Sequence, residues 1–137
     1  MHQEVVAVMH ECARLSEQGK ISFSEVVRKL TQAGVERYHT DLCCEEHVFY
    51  MPNGETHAEP LGLLTEPIAA EFSDAGVEAA VRAIQRGEIQ YMEFLRRIMQ
   101  AGCVGYFVLL AGRQTQYFGR KGEMHVEKFP APAASRV

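Results

Sequence analysis

The sequence lacks CxxC motifs, an excess of basic residues and any long apolar segment, and each absence excludes a class of protein. Its four cysteines show no metal-site spacing, so we expect small reduced side chains rather than disulfides or metal ligands. Fourteen Lys and Arg against 18 Asp and Glu give a formal charge of −4. A nucleic-acid partner, which would need a basic surface, is therefore not expected.

A membrane segment and a signal peptide are not expected either. The longest apolar run, residues 103–111, has nine residues, whereas a membrane-spanning helix needs about 20. Residues 1–12 lack the basic start and long apolar stretch of a signal peptide. With 47% hydrophobic and 23% charged residues, the chain has the composition of a globular domain, and we expect a cytoplasmic protein.

The chain does contain an internal repeat. Residues 19–34, GKISFSEVVRKLTQAG, and residues 87–102, GEIQYMEFLRRIMQAG, share Gly, Ile, Glu, Arg and a closing Gln-Ala-Gly at a constant offset of 68. At the same offset, GETHAE at 54–59 corresponds to GEMHVE at 122–127. Two copies are too few for a solenoid, so two half-domains that share one core are predicted.

Each half shows the same succession of periodicities. Apolar residues first recur at helical spacing, as in Phe23, Val26, Val27 and Leu30, and the period then changes to two. The prediction is an α+β fold that duplicates an ααβββ unit, with helices packed on an antiparallel sheet. The first helix of each half is predicted at 3–17 and 74–86. The second helices are predicted to begin at 23 and 91 and to end at Gly34 and Gly102, respectively. The predicted strands are 35–43, 47–51, 55–59, 103–111, 114–118 and 123–128. The single domain covers 1–128, its repeats cover about 5–60 and 73–128, and 129–137 is predicted to be a flexible tail.

The repeated Glu-x-His-x-Glu segment places three polar side chains on one strand face. Glu55, His57 and Glu59 share a face, as do Glu123, His125 and Glu127. The alternate residues Thr56, Ala58, Met124 and Val126 are expected in the core, which would turn both polar rows outward. On the first strand of half one, Arg37, His39 and Asp41 also share a face. If both strands present these faces to the same side, half one gathers a polar constellation that half two lacks, because Gly105, Phe107 and Leu109 stand there.

Several functions fit such a row. A histidine flanked by carboxylates suits proton transfer, which makes His57, His39, Glu55, Glu59 and Asp41 the catalytic candidates. His39, His57 and Glu59 are weak candidates for metal ligands, although no metal or cofactor is predicted. A solvated edge strand or cross-strand ion pairing explains the row equally simply. The candidate contact face comprises Arg37, His39, Asp41, Glu55, His57, Glu59, Glu123, His125 and Glu127.

Two classes of function follow from these alternatives. The first is a binding or interaction module with a protein or small-molecule partner, for which a homodimer is one form. The second is a small hydrolase- or isomerase-like enzyme that uses the His and Glu side chains, with or without a metal. The sequence leaves the question of enzymatic activity open.

Four stretches carry a resemblance to a known family: GVERYHTDL, FYMPNGETH, AGCVGYFV and YFGRKGEMHVEKFP. With them the chain resembles, over roughly residues 10–130, an uncharacterised bacterial and prophage family that includes YdfO and YbcV. Some members of that family are labelled phage envelope proteins. The resemblance implies a small bacterial or phage-associated α+β protein, and it implies no catalytic residue, substrate or cofactor.

Overall fold

A computed structural model describes residues 1–62 and 64–130 of the chain. Within these ranges the chain forms four helices and a six-stranded antiparallel sheet, so the predicted α+β class is confirmed. The predicted tail at 129–137 lies, from residue 131 onwards, outside the described residues. The elements are α1 (Gln3–Glu17), α2 (Phe23–Gln32), β1 (Arg37–Asp41), β2 (Glu46–Tyr50), β3 (Thr56–Pro60), α3 (Asp74–Gln85), α4 (Tyr91–Gln100), β4 (Gly105–Leu109), β5 (Gln114–Phe118) and β6 (Met124–Lys128).

The ends of the second helices follow from local chemistry. At the start of α2 the Ser22 hydroxyl accepts a hydrogen bond from the Glu25 backbone N–H at 3.2 Å, which satisfies an orphan donor of the first turn. At the ends of α2 and α4, Gly34 and Gly102 have φ of +86° and +85°, the left-handed conformation in which glycine terminates a helix. No helix in the described ranges is long and apolar enough to cross a bilayer.

The strands pair in the order β3-β2-β1-β4-β5-β6, and every pairing is antiparallel. The central pair is therefore β1 with β4. His39 lies opposite Phe107 in this pair. The first strands of the two halves thus form the middle of the sheet, and β3 and β6 form its edges.

One face of the sheet belongs to the core. Tyr38, Phe49, Tyr106 and Tyr117 point to this inner face and are at most 7% exposed. They form one buried cluster with residues from all four helices, including Met9, Leu30, Val77, Leu95 and Ile98. The side chains that alternate with them on the central strands β1, β2, β4 and β5, such as Val48, Tyr50 and Phe107, are mostly half-buried on the outer face.

The second half repeats the geometry of the first at the offset seen in the sequence. Phe23 and Tyr91, the first residues of α2 and α4, are 68 positions apart, and so are the first residues of β1 and β4. We call two positions at this separation equivalent, and we call 3–60 half one and 74–128 half two. The residues with positive φ also form equivalent pairs: Gly19 and Gly87, Gly34 and Gly102, Glu45 and Arg113, Gly54 and Gly122.

Candidate functional site

The Glu-x-His-x-Glu rows point to the core and not to solvent. The register of β2 and β3 pairs Phe49 with His57 and His47 with Glu59, which places both β3 side chains on the inner face. Glu59 is only 5% exposed. Thr56 and Ala58, which were expected in the core, are exposed on the outer face. The prediction of outward-facing rows is therefore wrong.

Half two shows the same orientation. His125 is 8% exposed, whereas Met124 and Val126 are 47% and 43% exposed. Glu127 pairs with Thr115, which is itself buried on the inner face. The apolar residues of the edge strands do not mark the side that faces the core. In both halves a helix side chain binds the inward-facing carboxylate and so compensates its burial.

The predicted constellation of half one does not form, because its members lie on opposite faces of the sheet. His39 is on the outer face, where its ring lies 4.5 Å from that of Phe107. Burial lowers the pKa of His39, and the nearby Asp41 opposes this effect. The Arg37 guanidinium lies 4.2 Å from the centre of the Tyr50 ring. The predicted cluster of Arg37, His39 and Asp41 with the β3 row is therefore wrong.

Asp41, Glu55 and Glu123 hold turns. Asp41 Oδ1 accepts hydrogen bonds from the backbone N–H groups of Cys43 and Cys44 at 2.8 and 3.1 Å. Glu55, one residue before β3, accepts from Asn53 Nδ2 at 2.8 Å, and its equivalent Glu123 accepts from the Lys121 N–H at 2.9 Å. The local backbone conformation explains the Asp41 and Glu123 carboxylates, whereas Glu55 also accepts from the N-terminal amine of Met1 at 2.7 Å.

Side chains from the edge strand β3 and from the helix α1 instead form a polar cluster around Glu59, which we call a corner. His57 Nε2 lies 2.6 Å from Glu59 Oε2, and His10 Nδ1, from α1, lies 2.8 Å from Oε1. Burial by itself would raise the pKa of the Glu59 carboxyl, but the hydrogen bonds from His57 and His10 outweigh it and hold the pKa below its usual range. Glu59 therefore stays ionised at neutral pH.

Two further residues complete this Glu59 corner, which we define as His10, Arg14, His47, His57 and Glu59. Arg14 donates to the Pro60 carbonyl and, at 3.1 Å, to Glu17, and its Nε is enclosed without a partner. His47 is 4% exposed; its Nδ1 lies 2.8 Å from the Thr40 hydroxyl, and its Nε2 is enclosed without a partner. Burial and the Arg14 charge lower the pKa of His47 to about 4.

The equivalent Glu127 corner consists of Asp74, Arg82, Thr115, His125 and Glu127. Arg82 binds the Glu127 carboxylate through both terminal nitrogens, at 2.8 and 3.3 Å. Burial opposes ionisation of Glu127, but the Arg82 contact outweighs it and lowers the pKa of the carboxyl. His125 Nδ1 turns to Asp74 at 2.7 Å, and its Nε2 stays 3.6 Å from Glu127.

Neither corner has the arrangement of a metal site. Among residues 1–62 and 64–130, no three His, Cys, Asp or Glu side chains converge in a way that could hold a metal ion. The weak candidates His39, His57 and Glu59 are divided between the two faces of the sheet. His10 and His57 take different oxygens of Glu59, so they surround the carboxylate and leave no shared position for an ion.

A cavity of about 1020 Å³ lies between the inner face of the sheet and the helices. Side chains from all four helices line it, and its floor is aromatic. Both halves contribute, because equivalent residues such as Ser16 and Ile84 lie in its wall. The floor consists of Tyr38, Phe49, Tyr106, Tyr117, His47, Val108 and Thr115.

Polar residues also line this cavity; some are engaged with each other, and others, such as Ser24, Glu25 and Gln90, are exposed. The hydroxyls of Tyr91 and Tyr106 lie 2.5 Å apart. The Arg82–Glu127 pair belongs to the wall, while exposed Lys20 and Lys128 belong to the lining nearer to solvent. His57 and Glu59 are absent from the lining. The cavity is thus mainly an apolar and aromatic site with isolated polar groups.

Sequence reasoning missed His10, Arg14, His47 and the cavity. One signal was available for Arg14: it is identical to its equivalent Arg82, and the helical positions 10, 14 and 17 lie on one side of α1. For His47 the signal was its place two residues before Phe49 on a strand of period two. The cavity depends on how far the helices stand from the sheet, which no local pattern encodes.

Comparison of the chain with models of protein families gives no match, and comparison with curated proteins gives none. The resemblance to the family of YdfO and YbcV stays a prediction that depends on the four quoted stretches. A proposal for the function therefore has to rest on the geometry of the cavity and of the two corners.

Proposed function

We propose that this protein is a binding module that holds a small, mainly apolar molecule in the cavity between its sheet and its helices. The observation that carries the proposal is the cavity of about 1020 Å³ with an aromatic floor. Ligand sites are typically concave, about 300–1,000 Å³ in volume and lined by apolar and aromatic side chains with a few polar groups.

The charged groups support binding over catalysis. An acid–base enzyme needs a titratable group within hydrogen-bond reach of its substrate. The catalytic candidates His57 and Glu59 lie in a corner outside the cavity lining, and His39 and Asp41 lie on the outer face. Glu127 does line the cavity, but Arg82 occupies both of its oxygens. The enzyme alternative therefore has less support.

We further propose that the two halves arose by duplication of one ααβββ unit, whose two copies pack their helices against a shared sheet. The equivalent element bounds and the equivalent positive-φ residues support this history. On this proposal the ligand lies where the two copies meet, because both copies contribute to the wall. Membership of the bacterial and phage-associated family, the cytoplasmic location and a homodimeric form remain predictions.

A cavity-filling substitution tests the proposed function. Ser16 is a half-buried residue of α1 in the cavity wall, so Ser16→Trp would place an indole in the space of the ligand. The wild type is expected to bind the neutral apolar dye Nile red with a blue-shifted emission and saturable, one-to-one stoichiometry. The Ser16→Trp variant is expected to lose at least tenfold in affinity.

Ala7→Trp is the matched control, because Ala7 is exposed on the same helix and is absent from the cavity lining. It is expected to bind the dye as the wild type does. Thermal unfolding of all three proteins shows whether each is folded. A folded wild type that does not bind the dye, or equal binding by both Trp variants, would contradict the proposal.

A further inference from the structure

Two hydroxyl groups in the cavity are free to bind a ligand. Tyr38 on β1 and Tyr117 on β5 line the floor and are each 7% exposed. In the described part of the chain, neither hydroxyl makes a hydrogen bond to another protein group. Nor is either oxygen fully enclosed, since the enclosed side-chain atoms without partners are Arg14 Nε, His47 Nε2 and His125 Nε2.

Two other polar groups of the floor, Tyr106 and the Nδ1 atom of His47, are already engaged, and the unpartnered Nε2 of His47 is fully enclosed and so out of a ligand's reach. Tyr106 and Tyr91 share a hydrogen bond at 2.5 Å, and the Thr40 hydroxyl engages His47 at 2.8 Å. A ligand that reached these groups would have to break an existing bond. At Tyr38 and Tyr117 it would gain one, because an unpaired hydroxyl in a dry cavity carries an unfavourable desolvation cost.

The positions of the two tyrosines set a spacing. Tyr38 pairs with Val108 of β4, and Tyr117 pairs with Tyr106 of β4, so the strand β4 runs between them. Two strand spacings separate their backbones by about 10 Å across the sheet. A compact molecule of one to three fused rings would cover the aromatic side chains between the two tyrosines.

The chemistry of the cavity favours a neutral ligand. Burial raises the pKa of both Tyr38 and Tyr117 well above the usual value, so both phenols remain uncharged donors and acceptors. The half-buried pair of Arg82 with Glu127 in the wall is already matched, and the other charged residues of the lining, Lys20, Glu25 and Lys128, are exposed. A carboxylate or ammonium group carried into the floor would find no counter-charge, and burying an unpaired charge is costly.

We propose that the ligand of the cavity is a neutral, ring-containing molecule whose hydroxyl or carbonyl groups bind the hydroxyls of Tyr38 and Tyr117. This inference rests on the proposed function and names its ligand class. The two tyrosines are specificity-determining residues, because they distinguish a hydroxylated ring from a hydrocarbon of the same shape. The absence of a matching charge distinguishes the same ring from its carboxylate.

Three probes of one shape test the inference: naphthalene, naphthol and naphthoate, each titrated into the full chain and followed by fluorescence or calorimetry at neutral pH. Naphthol is expected to bind about three- to tenfold more tightly than naphthalene, the gain of one or two neutral hydrogen bonds. Naphthoate is expected to bind at least tenfold more weakly than naphthol.

Hydroxyl deletions then locate the contact. Tyr38→Phe and Tyr117→Phe keep the ring and the cavity, and, because naphthol carries a single hydroxyl, at least one of the two is expected to weaken naphthol about three- to tenfold while leaving naphthalene unchanged. Tyr50→Phe is the control, because Tyr50 lies on the outer face of the sheet beneath Arg37. It should alter the binding of neither probe.

The outcomes separate the two proposals. Naphthol and naphthalene binding equally, or naphthol binding unchanged in both cavity variants, overturns the assignment of Tyr38 and Tyr117 but leaves the binding function standing. Tight binding of naphthoate overturns the preference for a neutral ligand. Failure of all three probes to bind a folded wild type overturns both the ligand class and the binding function.

Discussion

Glu59 and Glu127 are the same residue at equivalent positions of edge strands, yet the two halves stabilise them differently. In half two a guanidinium takes both oxygens of Glu127. In half one the equivalent guanidinium, that of Arg14, turns to a backbone carbonyl and to Glu17, and two histidines bind Glu59 instead. An inward-facing carboxylate needs a partner, but the fold accepts different partners for it.

The two corners also differ on the neighbouring strand. Burial and the Arg14 charge lower the pKa of His47 to about 4, whereas the equivalent residue Thr115 carries no titratable group. The response of the inner face to acid is therefore expected to differ between the halves at this position.

The largest contrast between the halves is expected at the glycines that end α2 and α4. At Gly102, with φ +85°, an added Cβ would lie 2.3 Å from the Glu71 carbonyl oxygen, whereas at Gly34, with φ +86°, the nearest atom is the Met51 methyl at 3.8 Å. Both Ala variants carry the backbone penalty of about 1 kcal/mol. Gly102→Ala adds a backbone clash and is expected to lose about 3–5 kcal/mol in the free energy of unfolding.

Urea unfolding of the two variants measures this difference. The clash arises from residue 71, which lies in the segment that joins the halves, so the experiment reports how firmly that segment is held against half two. Equal losses for Gly34→Ala and Gly102→Ala would show that the segment moves away at little cost.

The second contrast is the acid sensitivity of half one at His47. Its pKa lies at about 4 in the folded protein against an ordinary value of 6.5, so between these values the unfolded chain binds more protons. The stability that His47 contributes is complete above pH 6.5 and is lost as pH falls towards 4, by up to about 3 kcal/mol. His47→Thr gives half one the residue that half two has at the equivalent position, Thr115. This substitution is expected to remove this part of the pH dependence.

The relevant quantity is the change in unfolding free energy between pH 7 and pH 4.5, measured by urea titration for the wild type and for His47→Thr. Absolute stabilities are expected to differ, because the substitution also alters packing. The prediction concerns the slope with pH. Parallel pH profiles for the two proteins would show that His47 does not titrate in the way its burial implies.

The smallest contrast compares Glu59→Gln with Glu127→Gln. Each substitution is expected to lower the free energy of unfolding by about 1–2 kcal/mol at pH 6, because each removes a charge-assisted contact of a half-buried or buried carboxylate. The two losses are expected to be similar, because hydrogen bonds hold the pKa of both inward-facing carboxyls below the usual range.

Thermal unfolding of both variants at pH 6 compares the two losses. Glu127→Gln is the matched variant in half two, since it shares the backbone position and the side-chain change. An unfolding temperature equal to that of the wild type in either variant would show that the contacts of that carboxylate do not contribute to stability.

The fold was largely predictable because its signals are local. The helical spacing of Phe23, Val26 and Leu30, the glycines that end the helices and the change to period two each depend on a short stretch of chain, and the resulting elements agree with the structure to within two residues. The offset of 68 then transferred each assignment from one half to the other.

The site was less predictable because its signals are not local. Alternation showed that His57 and Glu59 share a face, but it could not show which face meets the helices. The orientation of β3 depends on His10 and Arg14, which are more than 40 residues away in the chain. His10 binds the buried Glu59 carboxylate, and Arg14 donates to the adjoining Pro60 carbonyl. Apolar Ala58 and Val126 were therefore assigned to the core, although they lie outside it.

The pairing of β1 with β4 has a consequence for how the two halves hold together. Each half alone would leave the free edge of its first strand exposed, with backbone N–H and C=O groups that invite pairing with another chain. In the intact protein each half covers this edge of the other. The connecting residues 61–73 tether the two halves, so each edge meets the other at a high effective concentration. The covalent link therefore protects the sheet from pairing with other molecules.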